Sequence, residues 1–242
     1  MKKKIKMFLK RIKYGKKVDS HSYIKYLRKI GIRIGKNTVI YSPQNTTIDV
    51  TRPWLIEIGD NVKITKGVTI LTHGYDWSVL RYSYNGEVIG SAGKVKIGNN
   101  VFVGMNSTIL KGVTIGDNVI IGANSLVNKD IPSNVVIAGN PAKIIMSIEQ
   151  YYNKRKESLI NEAKNMSLEY KKVYGVYPPI DIYYEYFPLF VNKNNITKYE
   201  DKISFKFDDD IGDDIRNHLL NNTSKYNSYE EMISDFFCKE KI

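Results

Sequence analysis

Between Ile97 and Pro132 the chain repeats itself every six residues. Written in sixes it reads "IGNNVF VGMNST ILKGVT IGDNVI IGANSL VNKDIP", with Ile97, Val103, Ile109, Ile115, Ile121 and Val127 spaced without a miss. The fifth place of each hexad holds Val101, Ser107, Val113, Val119, Ser125 and Ile131, all small or β-branched, and the second is often glycine (Gly98, Gly104, Gly116, Gly122). The phase returns upstream at Ile34 and Ile40 and again at Ile58, Ile64 and Ile70. A helix repeats every 3.6 residues and a strand every 2, so neither produces this beat. Short parallel strands joined by tight corners do. Three hexads make one triangular coil, the aliphatic first residue points inward, and glycine or asparagine serves the corners.

The beat breaks beside a histidine. Ile70 and Ile97 stand 27 residues apart, which is no multiple of six, so an insertion over roughly 74–94 is expected to leave the wall just after His73. Loops thrown from a regular scaffold commonly carry function. This one holds Tyr75, Asp76, Trp77, Arg81, Tyr82 and Tyr84, a set suited to stacking on a sugar and hydrogen-bonding it. His21 and His218 lie outside the coils, so His73 has no rival within them. A lone histidine serves structure more often than chemistry, and spacing alone leaves both roles open. An early coil, "IDVTRPWLIEIG", also misses the register, which suggests a bulge near His73. Asp49 is expected there as an acceptor contact. The ordinary roles of Arg52 and Trp54 are a corner salt bridge and a core aromatic.

These motifs resemble the hexapeptide-repeat acyltransferases over residues 32–146. The stretch 95–145 is similar to the last coils of the maltose, galactoside and xenobiotic acetyltransferases, and "IDVTRPWLIEIGDNVKITKGVTILTHGYDWSVL" to a branch that acetylates capsule, O-antigen and other surface-polysaccharide sugars. The resemblance implies a mainly β fold: a left-handed parallel β-helix with an N-terminal helical cap and an α-rich C-terminal extension. That hand runs against the usual right-handed crossover. It also implies His73 as general base, a homotrimer, and acetyl-CoA held between coils of adjacent subunits by Gly104, Met105, Gly122, Ala123, Asn128 and Lys143. Met105 and Asn128 stand where Ser and Thr are usual, and Lys143 keeps a charge but not an arginine's fork. Tyr75, Asp76, Trp77, Arg81 and Asp49 are the expected acceptor contacts, and Asp76 or a backbone carbonyl is expected to hold His73 Nδ1. An imidazole accepts a proton near neutral pH, and attack on a thioester needs no metal. The single cysteine, Cys238, lies outside the coils and no G-x-S-x-G elbow occurs, so direct transfer is expected rather than an acyl-enzyme. The rival readings are another acceptor (an amino sugar, an antibiotic or serine) and a non-catalytic β-helix scaffold. A β-helix carbonic anhydrase needs several zinc-binding histidines, which the coils lack.

Composition bears on the two ends. Residues 1–36 carry 14 Lys/Arg against one acid, Asp19, whereas the rest has 23 basic and 24 acidic groups. One arm therefore holds the whole net charge of +12. A nucleic-acid partner is not expected, because its binders spread basic groups over a folded face. Ile5, Phe8, Leu9 and Ile12 between lysines suit an anionic membrane surface; a solvated tail or packing on a neighbouring subunit is the alternative. With no long apolar run and one thiol, a soluble cytoplasmic protein is expected. The expected division is an arm and capping helix (1–31, with Asp19 or Ser20 as the cap), a catalytic β-helix (32–146) and the extension (147–242). In the extension, residues 147–175 suggest a helix pair, and Ser228–Glu231 fits a capping box.

Overall fold

The hexads lie as stacked rungs of three parallel sheets. The computed structural model describes residues 2–199, 206–207, 210–211, 213–221 and 223–238. It divides into two units, Met1–Tyr151 and Tyr152–Ile242. In the first unit, coil one supplies β1 (Arg33–Ile34), β2 (Val39–Ile40) and β3 (Thr47–Ile48), and coil two β4 (Ile56–Ile58), β5 (Lys63–Ile64) and β6 (Thr69–Ile70). Coil three supplies β7 (Val95–Ile97), β8 (Val101–Val103) and β9 (Thr108–Ile109), and coil four β10 (Thr114–Ile115), β11 (Val119–Ile121) and β12 (Leu126–Val127). The first sheet runs β1-β4-β7-β10, the second contains β2-β5-β8-β11, and the third β3-β6-β9-β12. Register places like on like. Ile34, Ile58, Ile97 and Ile115 form one column. Ile40, Ile64, Val103 and Ile121 form a second, and Ile48, Ile70, Ile109 and Val127 a third. All of these except Ile34 are buried.

Asparagine turns most of the corners and glycine others, Gly67 at φ 80° and Gly112 at φ 83°, but not the glycine in the second place of the hexad. Asn37, Asn61, Asn100, Asn118 and Asn134 adopt left-handed φ values between 53° and 64°, a region asparagine tolerates better than most residues. Their amides also form a ladder, Asn100 Nδ2 donating to Asn118 Oδ1 at 2.8 Å and Asn118 Nδ2 to Asn134 Oδ1 at 2.9 Å. Gly98, Gly104, Gly116 and Gly122 have no such φ. They are glycines because a Cβ on Gly104 would stand 2.5 Å from the Ala123 nitrogen, and one on Gly98 2.7 Å from the Gly116 backbone. The last hexad also departs from its expected phase: Ile131 bridges Ile115 and so occupies a first position, not a fifth. Strand β13 (Val135–Ala138) extends the second sheet, and β14 (Lys143–Ser147) turns back antiparallel upon it.

Two helices precede the coils, α1 (Lys2–Tyr14) and α2 (Ser20–Lys29). Asp19 caps α2, its carboxylate accepting from the Ser22 N–H at 2.7 Å. Tyr23, Ile24 and Leu27 are buried in one cluster with Ile32 and Ile40, covering the end of the core as a terminal cap must.

The insertion contains α3 (Trp77–Ser83), which its sequence did not announce. Residues 148–174 form a single 27-residue helix, α4 (Ile148–Tyr174), instead of the expected pair; no glycine or proline interrupts it. In the second unit α4 is followed by α5 (Ile196–Tyr199), a short hairpin of β15 (Lys206–Phe207) and β16 (Asp210–Ile211), α6 (Asp213–Asn221) and α7 (Tyr229–Phe237). Ser228 caps α7, while Glu231 accepts from the Asn227 N–H, one residue earlier than in the standard box. The tyrosine bias of this region is its core: Tyr183, Tyr199 and Tyr226 are buried with Phe187, Phe190, Phe236 and Phe237. Helix outweighs strand in the chain, so "mainly β" holds only for the coils.

Candidate active site

His73 stands at the corner between the third sheet and the first, where coil two should turn into coil three. The insertion leaves and returns through a stapled neck. Gly93 N donates to Thr72 O at 2.9 Å, Gly74 N to Ser91 O at 3.0 Å, and His73 pairs antiparallel with Ala92. The inserted segment is thus pinned at its base, with His73 on the pin.

One coil earlier, at the same corner, the chain takes ten residues from Ile48 to Ile58 in place of six, the excess forming a 3₁₀ turn at Pro53–Leu55. Asp49 N donates to Ile70 O at 3.0 Å, which stacks Asp49 against the approach to His73. Its carboxylate is buried and fully engaged. Oδ1 accepts from Thr51 N at 3.0 Å and Thr51 Oγ1 at 2.6 Å. Oδ2 accepts from Thr72 N at 3.2 Å and Thr72 Oγ1 at 2.5 Å, and lies 2.6 Å from His73 Nδ1. Burial pushes the Asp49 carboxyl up, but the hydrogen bonds from Thr51, Thr72 and His73 outweigh it and hold it well below the usual carboxylate range. An ionised carboxylate accepts only from donors, so Nδ1 carries a proton, and in the neutral ring the lone pair is on Nε2. The His73 side chain is 32% exposed and that of Asp49 5%. The pair therefore presents one basic nitrogen outward from a rigid, charged support.

The geometry differs from several expectations. Asp49, expected as an acceptor contact, has both of its oxygens on protein donors instead. Asp76 does not hold the imidazole: its Oδ1 lies over Gly74, 2.1 Å from where a Cβ would stand there, with Lys111 Nζ 3.1 Å from the same point. Trp54 is 64% exposed and not a core aromatic, and Arg52 Nη1 is buried without a hydrogen-bond partner. Thr51, Thr72 and Lys111 were not singled out from the sequence. The signal for Asp49 and the threonines was present: aligning Ile48 with Ile70 as one column, 22 residues apart, sets Asp49 beside Leu71-Thr72-His73.

Around the neck, Tyr75, Asp76 and Arg81 are exposed and Trp77 is half-buried. The rings of Tyr75 and Trp77 meet edge to face at 4.8 Å. Arg81 turns onto its neighbour, Nη2 donating to Tyr82 Oη at 2.7 Å. The other expected residues lie elsewhere. Gly104–Met105 and Gly122–Ala123 occupy the corner between the second and third sheets, stacked by Asn124 N donating to Met105 O at 2.8 Å. Lys143 opens β14 opposite Ala138, whose Cβ would meet one on Gly122 at 2.9 Å. These residues form a strip poor in side chains, with an exposed cation near one end. Asn128 alone shares the His73 corner, two coils on. Within one chain the third sheet separates the strip from the imidazole.

Residues 94–129 match the family described as "Bacterial transferase hexapeptide (six repeats)". The chain is 45% identical to Protein CapG of Staphylococcus aureus over 169 residues, covering 70% of this chain and 92% of that one. It is 44% identical to the galactoside O-acetyltransferase of Escherichia coli (strain K12) over 128 residues, 51% of this chain and 59% of that protein's length. Among solved structures, a maltose O-acetyltransferase from Clostridium difficile 630 aligns at 33% identity and a TM-score of 0.37, over 52% of this chain and 75% of that one.

Proposed function

This chain belongs to the hexapeptide-repeat acetyltransferase family, and on that premise we propose that it transfers an acetyl group from acetyl-CoA to a sugar hydroxyl of a cell-surface polysaccharide or its precursor, with His73 as general base. Membership makes it an acyltransferase that uses acetyl-CoA. The observation that carries the finer reading is the Asp49–His73 pair at the neck of an exposed aromatic loop. A scaffold has no use for a buried carboxylate held on a half-exposed imidazole.

The chemistry follows from the orientation of the ring. Nε2 takes the proton of the acceptor hydroxyl as its oxygen bonds to the thioester carbonyl carbon. The C–S bond then breaks, and the proton passes from the imidazolium to the departing thiolate. Asp49 keeps Nδ1–H in place and stabilises the positive ring between the two transfers. General-base assistance of this kind is worth about 10²–10⁴-fold. Tyr75, Trp77 and Arg81, with Asp76 beside the neck, are the proposed sugar contacts.

Gly104, Gly122 and Ala123 leave a smooth strip along which a pantetheine chain is proposed to lie, with Met105 beside it and Lys143 as the cation for a phosphate, while Asn128, at the His73 corner, is proposed to meet the cofactor from the neighbouring copy. Because this strip and His73 lie on opposite edges of the third sheet, the complete site is proposed to form between two copies in a homotrimer of left-handed coils. The enzyme is proposed to be cytoplasmic, working at the inner face of the cell membrane. The test pairs calorimetric titration of acetyl-CoA with thiol release in the presence of mono- and oligosaccharides. His73→Ala should keep acetyl-CoA affinity and lose about 10²-fold or more in turnover. Equal turnover in both proteins would remove His73 from the chemistry, and absence of acetyl-CoA binding to the native chain would remove the transferase itself.

A further inference from the structure

Helix α1 (Lys2–Tyr14) takes no part in the proposed reaction. Phe8, Leu9 and Ile12 are 64%, 59% and 68% exposed, and none of residues 8–13 is buried. At roughly 100° per residue, these three positions and that of Ile5 share an arc of about 100°. The seven Lys and Arg positions of the helix, from Lys2 to Lys13, all fall outside that arc, and the helix contains no acid. An apolar stripe bordered by cations and left uncovered needs a partner that is oily beneath and negative at its rim.

We propose that α1 lies along an anionic lipid surface, its Phe8–Leu9–Ile12 face in the headgroup boundary and its Lys/Arg face over the lipid phosphates. A nucleic acid would use the charges and waste the apolar face. Another copy of α1 would set seven like charges against seven. The segment joining α1 to the coils fits the proposal. Lys17 Nζ donates to Thr46 O at 2.7 Å, and Lys16 Nζ sits 3.7 Å from the Tyr26 ring centroid. Those two cations are spent on the body of the unit. The short 3₁₀ link Gly15–Lys17 is no long tether, and a docked α1 holds the coils close to the bilayer.

Docking of α1 on lipid does not depend on acetyl transfer, and its readout does not use turnover. The full chain is to be sedimented with phosphatidylglycerol–phosphatidylcholine vesicles and with pure phosphatidylcholine vesicles. Binding is expected to the first only, weakening as salt rises. Each Lys or Arg near such a surface is worth about fivefold in partitioning, so Lys10→Gln/Arg11→Gln/Lys13→Gln should reduce it by about two orders of magnitude. Phe8→Ser/Leu9→Ser/Ile12→Ser, which keeps every charge, should lose tenfold or more, with acetyl-CoA affinity and sedimentation coefficient unchanged as the control for folding. The proposal fails if the serine variant binds as the native chain does, because a solvated basic tail then suffices. It fails equally if neither vesicle is bound, or if the serine variant changes oligomeric state, because the stripe then covers a neighbouring copy.

Discussion

A carboxylate that holds two threonine hydroxyls, two backbone N–H groups and an imidazole cannot be exchanged for its amide without consequence. In Asp49→Asn the new NH₂ must face one of those donors, and the charge that stabilises a protonated ring is gone. Turnover should fall by about 10²-fold or more with the acetyl-CoA dissociation constant unchanged. Steady-state kinetics beside titration checks this, and a drop confined to KM would make Asp49 a substrate contact after all. Asp49→Ala should in addition cost about 1–3 kcal/mol, because buried donors of Thr51 and Thr72 lose their acceptor. The residue also predicts its own pH dependence. A carboxyl depressed in the folded state adds stability that is complete above its unfolded value, about 3.9, and is lost as pH falls from there toward the folded value. Native melting temperature should therefore decline on acidification below about pH 4, and Asp49→Asn should flatten that decline.

At the scale of the element, the coil is held by contacts between rungs and not within them. Glu57 of β4 shows this on the outer face of the first sheet. It accepts from Lys94 Nζ at 2.6 Å and Arg33 Nη2 at 2.8 Å, tying three successive coils together. Those hydrogen bonds, Lys94's first and then Arg33's, bring its carboxyl down to about 2, so this support too persists down to acid pH. Gly98 tests the rung spacing. Gly98→Ala drives a Cβ against the Gly116 backbone, which only a separation of coils can relieve. It should cost about 1–3 kcal/mol, whereas Gly90→Ala, with open space around it and no positive φ, should leave the melting temperature as it was. Equal melting of the two variants would show that the glycine column is not a packing requirement. Much of this scale was legible. The hexad marks inward positions directly, since burial repeats with each turn of the coil. The role of the second-position glycines was misread because a missing side chain looks the same in sequence whether it serves a left-handed φ, as at Gly67 and Gly112, or a close approach. Only the rung above tells them apart.

For the whole molecule, the proposed sharing of the site between copies makes a prediction that no single chain can fulfil. If His73 of one copy works with the 104–105 and 122–123 strip of another, His73→Ala and a strip-blocking Met105→Trp should each be inactive alone. Co-assembled, they should regain part of the native turnover, since some interfaces combine a native His73 with a native strip. Continued silence of the mixture, with mixed trimers shown by native mass spectrometry, would place the site within one chain. Sequence alone determined the stacked coils, the inward columns, the place of the insertion and the histidine at its neck, because a six-residue period is a local property that each hexad repeats. Only the tertiary structure decided what supports that histidine. Asp49 and His73 are 24 residues apart, and the extra residues between Ile48 and Ile58 hide their common corner from any count in sixes. Their pairing comes into view when Ile48 is set against Ile70 by backbone hydrogen bonds, because register between coils is fixed by stacking and not by sequence distance.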